Sequence, residues 1–244
     1  RSQGFRDLKR ANEELQDLEN ILQIDAKNKG ALVRRAALLA ASNPARAIED
    51  LSNMISHDRE NATAWLNRGL CYNQTGDTDR ALADLNMACR FSSESYSPWL
   101  ERGRILRKLN RTDDAVSDLS KAAELAPNEF AVRLELGRAY LDRSSLDAAA
   151  ANFFQAERLS PSSRELQLSL AHMEIQRGRN DTAVERLKNI LVDDSSLSAP
   201  LTTAVRVTLA EQLRSAGENA EALSQVQKAL ASEPGNAAAL RIRA

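Results

Sequence analysis

The chain repeats itself every 34 residues, and no other feature of its 244 residues limits the fold as tightly. Gly69, Gly103 and Gly137 recur at that spacing. So do Ala47, Ala81, Ala115, Ala149 and Ala183, and beside them Leu51, Leu85, Leu119, Phe153 and Leu187. A third column runs Met54, Ala88, Ala122, Ala156 and Ile190. Beyond it the register slips by five, so that Gly178 corresponds to Gly217, Ala183 to Ala222, Leu187 to Val226 and Ile190 to Ala229. The slip lies in VDDSSLSAPLT, residues 192–202, which is rich in loop-forming Asp, Ser and Pro. The extra residues are expected to lengthen a linker and leave the helices intact.

Within one period two apolar patterns of three-and-four spacing flank a turn such as QTGDTD, KLNRTD or RSAGEN, so each unit reads as a helical hairpin. Composition agrees: aromatic residues are 4% of the chain, with nine Gly and six Pro, which suits helices and disfavours sheets. Gly69 and Ala81 are small where two helices of a unit would cross. Pro127, Pro161 and Pro234 close a unit, because proline cannot continue a helix.

Lys and Arg number 33 against 34 Asp and Glu, so no global field draws the chain to nucleic acid or to an anionic membrane. There is no run of 18 apolar residues, and RSQGFRDLKR lacks the apolar stretch of a signal peptide. Membrane insertion is therefore not expected. Cys71 and Cys89 have no nearby cysteine partner and fall on apolar helix faces, where a thiol behaves as a small hydrophobe. Free cysteines and the missing targeting segment favour the cytoplasm. The chain begins without Met and stops at LRIRA inside a helical pattern, as a piece of a longer chain would.

Three successive units carry a specific pattern: Trp65, Gly69, Tyr72, Ala81, Leu85 and Ala88; Trp99, Gly103, Ala115, Leu119, Ala122 and Pro127; Gly137, Tyr140, Ala149, Phe153, Ala156 and Pro161. This pattern resembles the signature of the tetratricopeptide repeat family. The resemblance implies an all-α fold, a right-handed α-solenoid of stacked antiparallel helix pairs. An N-terminal capping helix is expected within residues 1–27. Six repeats follow over 28–236, starting near 28, 62, 96, 130, 164 and 203, and residues 237–244 begin a further helix. The first and fifth repeats depart from the pattern, with Arg35 and Ala171 in the Gly column.

Three units place Arg just before that column (Arg34, Arg68, Arg102) and Asp just before the Leu column (Asp50, Asp84, Asp118). In the next three both vanish together, as Leu136 with Asn152, Leu170 with Arg186 and Leu209 with Gln225. Joint switching predicts that Arg on the first helix pairs with Asp on the second, as a partly buried guanidinium needs a carboxylate.

The resemblance further implies that first helices line a concave groove that holds a protein or peptide. The matching positions are Leu66, Asn67, Leu70 and Asn73, then Leu100, Glu101, Arg104, Arg107 and Lys108, then Leu134, Glu135 and Arg138, then Leu168, Ser169 and His172. The first unit offers Leu32, Ala36 and Leu39 instead. With Arg102 and Arg111, the middle of the groove is basic, which suits an acidic or C-terminal carboxylate-bearing segment. The Lys and Asn pattern of a chaperone carboxylate clamp is not matched, since Leu32 and Ala36 stand where Lys and Asn are needed.

No Walker loop, GxGxxG, HExxH or GxSxG occurs, and His57 and His172 lie in different repeats without a ligand set. No catalytic residue, metal or cofactor is expected. Nucleic-acid binding is disfavoured, because Glu101 and Glu135 stand beside the cations and aromatics are few. The sequence thus points to a non-catalytic interaction scaffold. The alternatives are a self-assembly module forming homo-oligomers, or the docking arm of an enzyme lying outside this stretch.

Overall fold

Capping chemistry decides where the helices begin. The side chains of Asn28, Asn43, Asn61 and Asp77 each accept a hydrogen bond from a backbone N–H three residues on, satisfying a donor that the first helical turn leaves open. The computed structural model describes residues 2–192 and 197–243, and among them it holds fourteen α-helices and no strand. It divides into two compact units, Arg1–Pro127 and Asn128–Ala244.

The first unit contains α1 (Ser2–Ile24), α2 (Lys29–Leu39), α3 (Pro44–His57), α4 (Ala62–Gln74), α5 (Thr78–Phe91), α6 (Tyr96–Lys108) and α7 (Thr112–Leu125). Here α2 packs on α3, α4 on α5 and α6 on α7, while α3 meets α4, α5 meets α6, and α4 touches α6. α1 lies against α2, with Leu15, Leu18 and Leu22 in one apolar cluster with Leu32, Ala36 and Leu39. The second unit contains α8 (Phe130–Asp142), α9 (Leu146–Leu159), α10 (Arg164–Gln176), α11 (Asn180–Ile190), α12 (Ala199–Ser215), α13 (Asn219–Ser232) and α14 (Ala237–Arg243). It repeats the plan: α8 on α9, α10 on α11, α12 on α13, with α8 touching α10 and α12 touching α14.

The repeat columns are the packing surface. Leu85, Leu119, Phe153 and Leu187 and the alanines of the Ala column up to Ala183 are wholly buried, and the buried Val226 and Ala222 continue them past the slip. A methyl group on Gly137 would stand 2.5 Å from the Phe153 ring, and one on Gly103 would stand 2.7 Å from Leu119. Close approach of the two helices is what excludes larger residues there. A left-handed residue closes the hairpin turns at a fixed place, namely Gly76, Asn110, Ser144, Gly178 and Gly217.

The first hairpin departs from this plan. Asn28 and Asn61, the caps of α2 and α4, are 33 residues apart, whereas Asn43 and Asp77, the caps of α3 and α5, are 34 apart. α2 is therefore one residue out of register with the column alignment. Counted from its cap, Ala36 takes the place of Gly69 and Gly103, so the small residue of the crossing is present after all. Arg35 falls one position before it.

The five-residue slip lengthens the connection as expected, from residues 160–163 between α9 and α10 to 191–198 between α11 and α12, but the helices do not stay intact. α12 has 17 residues where α10 has 13, and α11 has 11 where α9 has 14. Helix length is redistributed, with Pro200 tolerated in the first turn of α12. The expected loop runs through residues 193–196, which lie outside the described residues.

Cys71 and Cys89 are both free thiols in the core. Burial pushes the Cys89 thiol up to about 11 and raises Cys71 above its ordinary value.

Candidate functional site

The ion pairs come first, because they orient the first helices. Arg68 on α4 donates Nε–H to Asp84 Oδ2 at 2.7 Å and Nη2–H to Asp84 Oδ1 at 2.9 Å. Arg102 on α6 makes the same fork to Asp118 at 2.6 and 2.7 Å. Each guanidinium also lies over a tryptophan one turn earlier, 4.8 Å from the Trp65 ring centre and 4.9 Å from that of Trp99. The remaining nitrogen reaches the preceding second helix: Arg68 Nη1 donates to Ser52 Oγ at 2.9 Å and Arg102 Nη1 to Asn86 Oδ1 at 2.7 Å. One side chain thus ties three helices. The carboxylates raise the pKa of both guanidiniums, against the opposing effect of burial.

The expected Arg34–Asp50 pair does not form. Asp50 is held by Arg35, whose Nε and Nη2 donate at 2.8 and 2.5 Å, while Arg34 turns outward to Glu14 of α1. The cause is the register of α2. Arg35, Arg68 and Arg102 each stand seven residues after the cap of their helix, at Asn28, Asn61 and Ser95. Cap spacing, legible as the paired Asn residues, was the signal that column counting overlooked.

On the first helices of the first unit, Leu66, Asn67, Leu70 and Asn73 form a half-buried stripe of α4, and Glu101, Arg104, Arg107 and Lys108 form the equivalent stripe of α6. Leu32, Ala36 and Leu39 are not groove residues: they are buried under α1. Leu100 is also core. The basic centre is largely neutralised from within. Arg102 is engaged by Asp118, Arg104 donates to Glu101 at 2.6 Å, and Arg111 pairs with Asp114 at 2.7 Å, leaving Lys108 exposed. Three of the five cations of this run thus carry internal carboxylate partners.

In the second unit only part of the expected groove is absorbed into the stack, for Arg138 is half-buried and His172 is exposed. Leu134, Glu135, Leu168 and Ser169 are buried. Arg138 on α8 donates to Glu135 Oε1 at 2.9 Å and, through Nε, to Ser169 Oγ on α10 at 2.9 Å. His172 on α10 stands 3.2 Å from Thr208 Oγ1 on α12. α8 and α10 thus each reach across to the next first helix with the third residue past the column Glu135, Ser169, Thr208. Partial desolvation and the Arg138 charge hold the His172 imidazole below its ordinary value, with Asp142 opposing.

A further polar column escaped the sequence reading. Where the first-helix Arg becomes Leu, the Asp position of the second helix still finds a partner, one turn earlier: Arg133 with Asn152, Gln167 with Arg186, and Arg206 with Gln225. The separation changes from 15 or 16 residues to 19. The positions vary in residue type from unit to unit, so no column of identical letters marks them.

The sequence model of the tetratricopeptide repeat family matches residues 37–96 and 100–164. Curated proteins give no significant match. Solved structures give many. A tetratricopeptide repeat protein from Parabacteroides merdae aligns with a TM-score of 0.79 at 18% identity, covering 99% of this chain and 94% of that one. A chain of the APC/C hetero-tetramer Cut9–Hcn1 aligns with a TM-score of 0.79 at 17% identity, covering 96% of this chain but only 45% of that one. The human IFIT1 dimer with m7Gppp-AAAA aligns at 0.73 and 15% identity, covering 95% of this chain and 57% of that one. At such identities the likeness is one of fold, the helix-pair solenoid.

Proposed function

The chain belongs to the tetratricopeptide repeat family, and from that premise we propose that it is a non-catalytic protein–protein interaction scaffold. In this reading α1 caps the stack, six repeats fill residues 28–236, and α14 opens a further pair. One observation carries the proposal: α4 and α6 touch, and Asn67, Leu70, Asn73 and Lys108 on them remain half-buried or exposed, while Leu66 packs in part against Ala81, Leu85 and Ile105. The crossing and core use other residues, Ala64, Gly69 and Cys71 on α4 and Leu100, Gly103, Ile105 and Leu106 on α6. Side chains that packing does not consume are free to vary with a partner.

Internal pairing of Arg102 and Arg104 favours a partner segment of mixed apolar and polar character on this face over a purely acidic one. Affinity capture from native lysate, comparing wild type with Asn67→Arg/Leu70→Arg, tests the reading. A protein captured by the wild type and lost by the folded variant supports it; capture indifferent to the variant moves the partner off this face.

A further inference from the structure

α1 stands in the place of a second helix. Counted back from the cap of the helix that follows, Asp50 is eleven residues before Asn61 and Asp84 eleven before Ser95, and Asp17 is eleven before Asn28. The same count puts Leu18 in the Leu column and Ile21 beside Met54 and Ala88 in the third column. Asp50, Asp84, Met54 and Ala88 are buried in their hairpins. On α1 the corresponding face is open: Asp17 is exposed, and Ile21 and Ile24, one and two turns further on, are 42% and 91% exposed. α14 in turn stands in the place of a first helix. Asn236 Oδ1 accepts from the Ala239 N–H at 3.0 Å, as Asn61 does from Ala64, and Arg243 lies seven residues after that cap, as Arg35, Arg68 and Arg102 do after theirs. Ala239 is buried in the core of the second unit, whereas Arg241 and Arg243 are exposed and Leu240, in the place of Trp65 and Trp99, is half-buried.

Each face is one half of a hairpin. Among the described residues neither Asp17 nor Arg243 has the partner that its column supplies in Arg35–Asp50, Arg68–Asp84 and Arg102–Asp118. The halves are also complementary in charge, since residues 12–24 carry four Asp and Glu and no Lys or Arg, while α14 carries two Arg and no acid. We infer that the α1 face is occupied by α14 of a second copy of this chain, the two helices closing into a hairpin with an Arg243–Asp17 fork. The apolar strip of Ile21 and Ile24 is covered in the same step. Because the two faces differ, the contact runs head to tail, and every added copy presents a fresh face, so the assembly is open-ended. Glu14 replaces the alanine of the crossing and is drawn to Arg34 of α2, so α14 meets α1 from Asp17 onward, on the half that keeps the column pattern. The contact lies apart from the α4–α6 face and leaves its capture experiment untouched.

Light scattering of the whole chain from micromolar to millimolar concentration tests it. The mass of the wild type is expected to climb with concentration past that of two chains. D17R and R243D, both at exposed positions and checked for folding by circular dichroism, are each expected to keep the single-chain mass. An equimolar mixture of the two is expected to stop at a dimer of one chain of each, because only the α14 of D17R and the α1 of R243D still match. The inference is overturned by a wild type that keeps the single-chain mass throughout or stops at two chains, by either variant assembling as the wild type does, or by a mixture that stays monomeric.

Discussion

Arg35 and Asp50 form a two-bonded ion pair at 2.8 and 2.5 Å, with side chains only 14% and 6% exposed, in a unit where column counting puts Arg34 in that role. The pair follows the start of α2, and the start of α2 follows Asn28. Arg35→Ala is therefore expected to lower the denaturation midpoint clearly, because it strands a buried carboxylate. Arg34→Ala, whose guanidinium is on the surface with Glu14, should leave that midpoint within error. Equal effects in urea unfolding would return the pairing to Arg34.

The Arg68–Asp84 pair predicts a non-additive cycle. Asp84→Ala leaves a guanidinium among Trp65, Ser52 and the α4–α5 contact, at a cost of about 3–5 kcal/mol. Replacing both residues by Leu should cost far less than the sum of the single changes, as the Leu-containing units already suggest. Urea denaturation of the two singles and the double checks this; strict additivity would remove the coupling.

Gly137→Ala introduces a methyl 2.5 Å from Phe153, a ring buried on all sides. A loss of about 1–3 kcal/mol is expected from overpacking. Pairing it with Phe153→Leu should recover part of the loss, since Leu119 serves the same place beside Gly103. Gly76→Ala makes a useful contrast: open space surrounds it, and any cost there comes from its φ of +83° alone.

Ser144 holds a φ of +60° where Gly76, Gly178 and Gly217 hold theirs without penalty. Ser144→Gly is expected to stabilise the second unit by up to about 1 kcal/mol, offset in part by the greater freedom of glycine in the unfolded chain. A raised midpoint in thermal unfolding supports this, and a lowered one would point to a role for the hydroxyl.

His172 is expected to titrate below 6.5, the ordinary imidazole value. A lowered folded-state value means that the unfolded chain takes up the proton first. The folded state therefore loses stability as pH falls from 6.5 through the folded value, and keeps it above 6.5. Because the imidazole stays partly open to solvent, that loss is small. Proton NMR titration should show the midpoint rise in Arg138→Gln; a midpoint unmoved by that change would leave desolvation as the whole cause.

The family, the helix pairs and the crossing residues were legible in the chain because they obey a strict period: Gly103, Leu119 and Ala122 can be read directly against Gly137, Phe153 and Ala156. The pairs Arg68–Asp84 and Arg102–Asp118 stand where joint switching put them. What periodicity could not carry is whatever depends on a helix's own starting point or on a neighbour outside the period. α1 covers Leu32, Ala36 and Leu39, turning a presumed groove lining into core. The shift of α2 by one residue moves the pairing from Arg34 to Arg35. Glu101, Asp114 and Asp118 neutralise a cationic run that looks free in sequence, since they approach it only through helix turns and hairpin packing. A repeating sequence determines which residues face each other within a unit; the distances at which charges cancel, and the places where a cap or a shortened helix breaks the period, are decided by packing in three dimensions.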